Sequence, residues 1–106
     1  MATGKLGAFD LALETLTTVY TCPADVYTIA SLNLCNRTTN DATMRVAVCN
    51  TGTPGDEDYI EYGIVIPANN VLERTGIVLS AGQRIVVNSS IIYVSAVVFG
   101  IETPTT

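Results

Sequence analysis

Asp56, Glu57, Asp58 and Glu61 are the only concentrated charge in this chain, and clustered carboxylates are where chemistry is first sought. Hard cations such as calcium favour carboxylate oxygens, and the preceding Gly55 would let a loop wrap round an ion. Asp56, Asp58 and Glu61 are therefore the metal candidates, against the plainer alternative of a solvated acidic loop without EF-hand spacing. Paired carboxylates also hydrolyse glycosidic bonds. Asp58 and Glu61 match that chemistry by residue type alone, and no Trp accompanies them as a sugar platform. Nucleophilic catalysis lacks its base: Ser and Cys are present, but His is absent and the single lysine, Lys5, sits near one end. His is also the usual group for proton transfer near neutral pH and a favoured metal ligand. The chain reads as non-enzymatic and free of cofactors.

The three cysteines, Cys22, Cys35 and Cys49, cannot all pair within one chain. If residues 26–35 and 42–48 form a hairpin round the loop 36–41, Cys35 faces Ala42 and not Cys49. Free buried thiols are then expected, and the absence of a C-x-x-C spacing excludes a zinc ribbon. Asn36-Arg37-Thr38 and Asn88-Ser89-Ser90 match the glycosylation acceptor pattern. A cytoplasmic product never meets that machinery, so both are read as chance.

Charge narrows the partners. The net charge is −5, and the five basic residues, Lys5, Arg37, Arg45, Arg74 and Arg84, are scattered. A nucleic-acid partner needs a dense cationic footprint, so none is expected. No apolar run has the length of a membrane span. The start of the chain lacks the apolar stretch of a signal peptide, and synthesis in a cytoplasm without export by that route is the expectation.

The elements that would position these residues are short and extended. Strands are expected at residues 6–13, 16–22, 26–35, 42–48, 59–66, 71–79, 84–88 and 91–101, each bounded by turn chemistry. In the fifth, Ile60, Tyr62, Ile64 and Ile66 share a face, and Tyr59 and Tyr62 fall on opposite faces. A short helical turn could replace its start, because acidic residues favour helix N-termini, but strand is the preferred reading. In the sixth, Leu72 has one parity while Ile77 and Leu79 have the other, and a β-bulge at Gly76 reconciles them. This spacing implies one all-β domain over residues 1–106, an antiparallel β-sandwich or jelly roll of about eight short strands. Residues 1–7 read as a flexible N-terminal arm and residues 102–106 as a polar C-terminal tail.

Hydrophobic residues make up 48% of the chain and charged residues 14%, well under the usual quarter. Residues 26–34 and 91–101 are apolar on both faces, so they sit centrally in a sheet or against a partner. Symmetric self-association would cover such surface. The interface candidates are Met1, Ala2, Thr3 and Leu6 in the arm, with Tyr27, Ile29, Tyr59, Tyr93, Val97 and Phe99. The arm is also the natural donor to an exposed sheet edge.

The order of motifs adds a likeness. Tyr20-Thr21-Cys22-Pro23-Ala24 leads into a strand closing at Cys35-Asn36-Arg37, followed later by Ile66-Pro67-Ala68-Asn69. The run from Gly76 to Gly82 and the ending Val98-Phe99-Gly100-Ile101-Glu102 complete the pattern. It resembles the small β-sandwich structural proteins of tailed-bacteriophage particles, with Cys22 replacing the aliphatic residue expected before the proline. That resemblance spans nearly the whole chain. It implies a virion component assembled in the bacterial cytoplasm, often a homotrimer, that decorates or cements a capsid through contact with the major capsid protein. A tail, neck or receptor-binding fibre module is the alternative, and a carbohydrate-binding module a more remote one.

Overall fold

Val, Ile and Thr at alternate positions make extended backbone the favoured state along most of the chain. The structure is a computed structural model that describes residues 3–105. Met1, Ala2 and Thr106 lie outside the described residues. The strands are β1 (Thr3–Asp10), β2 (Thr17–Thr21), β3 (Val26–Asn36), β4 (Ala42–Cys49), β5 (Tyr59–Ile66), β6 (Val71–Leu79), β7 (Arg84–Ser89) and β8 (Val94–Pro104). A 3₁₀ turn at Asp56–Asp58 precedes β5, so the acidic stretch does form a helical turn and the strand starts after it. No helix among the described residues is long and apolar enough to cross a membrane.

Two four-stranded antiparallel sheets result, in the orders β1-β8-β3-β6 and β2-β7-β4-β5. β1 pairs with β8, β2 with β7, β3 with β6 and β4 with β5, as in one long hairpin whose tip is the 50–58 loop. Rolling that hairpin brings β3 onto β8 and β4 onto β7, closing the two sheets of a jelly roll. Leu32, Leu34, Met44, Leu79, Ile85 and Val98 are among the side chains sealed between them.

Every register break falls on an edge strand. Leu6 is the extra residue in β1, Val19 in β2, Ile60 and Gly63 in β5, and β6 sets Thr75 and Gly76 against Ser31 alone. The central pairings β3·β8 and β4·β7 run without interruption. The bulge expected at Gly76 is present, with φ +73°, and it brings both Leu72 and Ile77 to the core side. The Val19 bulge likewise lets consecutive Val19 and Tyr20 both turn inward.

Several expectations are corrected. Residues 3–7 of the arm belong to β1 and pair with β8, so they are not free to be donated to a neighbour. Residues 102–104 of the tail extend β8, and Glu102 is buried. Residues 91–93 precede β8 as a bend instead of opening it. β3 and β4 lie in different sheets, so the hairpin reasoning about Cys35 and Ala42 does not apply. Its outcome survives on other grounds: all three thiols are free, with Cys22 and Cys49 buried and Cys35 half-buried. In β5 the Gly63 bulge separates Tyr62 from Ile64, which packs on the core while Tyr62 faces out. The Ile60 bulge puts Tyr59 and Tyr62 on the same face, not on opposite ones, with ring centroids 5.0 Å apart.

One buried amide ties the loops at one end. The Asn36 side chain donates to the carbonyls of Asn40 at 2.8 Å, Ile66 at 3.0 Å and Pro67 at 3.3 Å. Its oxygen accepts from the Thr38 amide at 3.0 Å and the Thr38 hydroxyl at 2.8 Å. Asn36→Ala leaves these groups without their partner, and chemical denaturation should show a loss of about 1–3 kcal/mol.

Candidate interaction surface

The uninterrupted register of β3 on β8 decides which side chains face outward. Even-numbered residues of both strands point between the sheets, and Tyr27, Ile29, Ser31 and Asn33 align outside with Thr103, Ile101, Phe99 and Val97. β6 adds Val78 beside Ile29, and β1 adds Thr3 beside Ile101 and Lys5 beside Phe99. Exposures are 38% for Tyr27, 50% for Ile29, 63% for Val78, 45% for Phe99 and 53% for Ile101, high for contiguous large apolar groups.

This face unites Thr3, Tyr27, Ile29, Val97 and Phe99 from the sequence-based candidates. It adds Val78, whose outward parity depends on the Gly76 bulge, and Ile101. The other candidates lie elsewhere. Leu6 is the β1 bulge residue, half-buried against the core. Tyr59 sits beside Tyr62 on the opposite sheet, with the Arg45 guanidinium 4.3 Å from the Tyr62 ring centroid. Tyr93 lies among the loops, 55% exposed and at φ 67°, beside Leu13, Ile91 and Ile92. The Arg37 guanidinium stands 5.7 Å from its ring centroid and pairs with Asp10. Met1 and Ala2 lie outside the described residues.

Part of the outer face of the β2-β7-β4-β5 sheet is covered by its own chain, while Thr43, Arg45, Tyr62 and Val65 on the same side are exposed. Ala47, Val86 and Cys49 point to that side and are nevertheless buried, apart from the main core. Gly52 of the 50–58 loop approaches Arg84 and Thr18 there, and the Cys49 thiol donates to the Thr51 carbonyl at 2.9 Å. Burial pushes the Cys49 thiol pKa up, which favours the inert protonated form. One sheet is thus capped over part of its outer face.

The acidic stretch does not assemble a metal site. Glu61 accepts from Arg74 at 3.1 Å, joining the edge strands β5 and β6, while Asp58 accepts from the Gly55 amide at 2.8 Å. Among the described residues no three acidic, Cys or His side chains converge on a point an ion could occupy. The separation of roles is structural: one carboxylate closes the sandwich edge, and the other closes the 3₁₀ turn.

A polar chain runs through the opposite end of the core. The Tyr20 hydroxyl donates to Glu102 at 2.6 Å, so the Thr28 hydroxyl at 2.8 Å donates to Tyr20. The Cys22 thiol, 3.2 Å from Thr28, completes the series. Such a chain strengthens each of its hydrogen bonds. Burial and the Glu102 carboxylate push the Tyr20 pKa well above its ordinary value. A raised folded-state pKa contributes stability that is complete below the unfolded value and is lost as pH rises above it. Denaturant midpoints of the wild type should therefore fall as pH climbs past about 10. Tyr20→Phe should start about 1–3 kcal/mol lower at neutral pH and show a shallower alkaline decline.

Comparison with protein-family models, with curated proteins and with solved structures finds no match to this chain. The surface therefore has to be judged by its own chemistry. Substitution separates surface from core: Ile29→Thr and Ile101→Thr should each cost under about 1 kcal/mol of unfolding free energy. Leu32→Ala should cost about 2–5 kcal/mol. Unfolding curves of the three variants provide the check.

Proposed function

We propose that this chain is a non-enzymatic structural component of a tailed-phage virion, a capsid decoration or cement protein. One observation carries the reading: the exposed apolar face of Tyr27, Ile29, Val78, Phe99 and Ile101, on a chain whose other sheet is partly covered by the 50–58 loop. A face of this kind has a use only when something buries it. The phage-like turn grammar from Tyr20 to Ala24 and from Gly76 to Gly82 supports a particle as the setting. In that setting the protein adds contact area where shell subunits meet, and it stabilises the shell by binding the assembled state more tightly than free subunits. It assembles in the bacterial cytoplasm and resides in the virion.

A tail, neck or fibre position is the second reading, favoured by the loop end. Leu13, Ile92 and Tyr93 are exposed there on neighbouring loops. Tyr93 is held at a positive φ, a conformation that costs a bulky residue energy and concentrates at sites of contact. Copy number separates the two. Quantitative mass spectrometry of purified phage particles from the organism that carries the chain should give hundreds of copies for a shell protein and a handful for a tail part. Absence from purified particles overturns both.

A further inference from the structure

We infer that the outer face of the β1-β8-β3-β6 sheet pairs with the same face of a second copy, about a two-fold axis running along the strands. The inference rests on the reading of that face as an assembly interface, and it names the occupant.

Three observations converge. The first concerns the edges. β1, β2, β5 and β6 are the four sheet edges, and each carries a bulge. Bulges twist an edge away from the flat register that another strand would need. Strand addition at an edge is thereby disfavoured, and association is directed to a face.

The second is area. Strands of eight, eleven, eleven and nine residues give a face of roughly 600 Å², taking ~3.3 Å per residue and ~4.8 Å between strands. A stable pair buries ~800 Å² on each partner, so a second sheet of this size with its rim fits the requirement. Two such faces stack with their strands nearly aligned, as sheets in sandwiches do.

The third is charge. Apart from Asp10, which pairs with Arg37, the charged residues on this face are Lys5 on β1 and Glu73 on β6, at opposite edges. In register, Lys5 lies level with Phe99 and Ser31, one row from Glu73, which lies level with Asn33 and Val97. A two-fold axis along the strands lays the β1 edge of each copy over the β6 edge of the other, so Lys5 meets the second copy's Glu73 twice. An axis across the strands would set like charge beside like charge. The sign of these residues selects the first arrangement, while the apolar rows between them supply the affinity. The homotrimer implied by the phage resemblance gives way here to a pair, because a flat self-complementary face closes with two copies.

Sedimentation equilibrium of the full chain over a concentration series tests this. The expected result is a monomer–dimer equilibrium. Ile29→Lys should raise its dissociation constant at least about tenfold while leaving the thermal midpoint of unfolding nearly unchanged. Lys5→Glu and Glu73→Lys should each weaken pairing about two- to fivefold, and the double exchange should restore it. A monomer at every concentration, a trimer, indifference to Ile29→Lys, or a double exchange no tighter than the single ones overturns the inference. A monomer that still co-sediments with phage shells overturns self-pairing and leaves the virion reading standing. A dimer that binds no particle component does the reverse.

Discussion

The pairing of β3 with β8 sets the frame for everything else. It runs from Val26 opposite Pro104 to Asn36 opposite Val94 with no break. Side chains on a strand alternate between two faces, so a slip of one residue would exchange the buried and exposed sets of both strands. Such a slip would expose Leu32, Leu34 and Val98 and drive Ile29, Phe99 and Ile101 inward. Because the buried row also contains Asn36 and Glu102, each with a built hydrogen-bonding environment, the register is specified at both ends as well as along its apolar middle. Polar groups in a core are costly unless satisfied, and only one register satisfies these.

Around that rigid centre the edges are irregular by design. Each edge strand carries an extra residue, and the irregularities do two things at once. They reassign faces locally, turning Tyr59 and Tyr62 to the same side and placing Val19 and Tyr20 together in the core. They also spoil the edges as templates for further strands. The Arg74–Glu61 pair spans from β6 to β5 across the side of the sandwich where these two edges run side by side. Its partners are partly exposed, so its role is to hold geometry more than to supply stability. With the edges blunted and one outer face partly covered by the 50–58 loop, Tyr27, Ile29, Phe99 and Ile101 stay exposed on the other sheet.

How much of this was legible beforehand depended on the range of the interactions involved. The eight strands, the alternation in β4 and the bulge at Gly76 follow from local pattern and turn chemistry, and all appear within a few residues of their expected ends. Parity also groups Tyr27 with Ile29 and Val97 with Phe99, while the sheet each strand joins decides which side faces out. The arm and tail were misjudged for a physical reason. Residues 3–7 and 102–104 look polar and small, but each lies next to a strand that satisfies its backbone, a fact held in residues more than seventy positions away. The partner of Glu61 was likewise out of reach of local pattern, because Arg74 lies on another strand.

What the chain determined by itself was its class: extended segments, turns between them, and two central strands apolar on both faces. What only the folded molecule decided was which strands meet. Joining β1 to β8 and β2 to β7 is a matter of closing long loops, and the gain comes from burying both sheets at once. That closure made Glu102 a core residue. Alternation fixes two faces for every strand, but the identity of the neighbour decides which of them meets water.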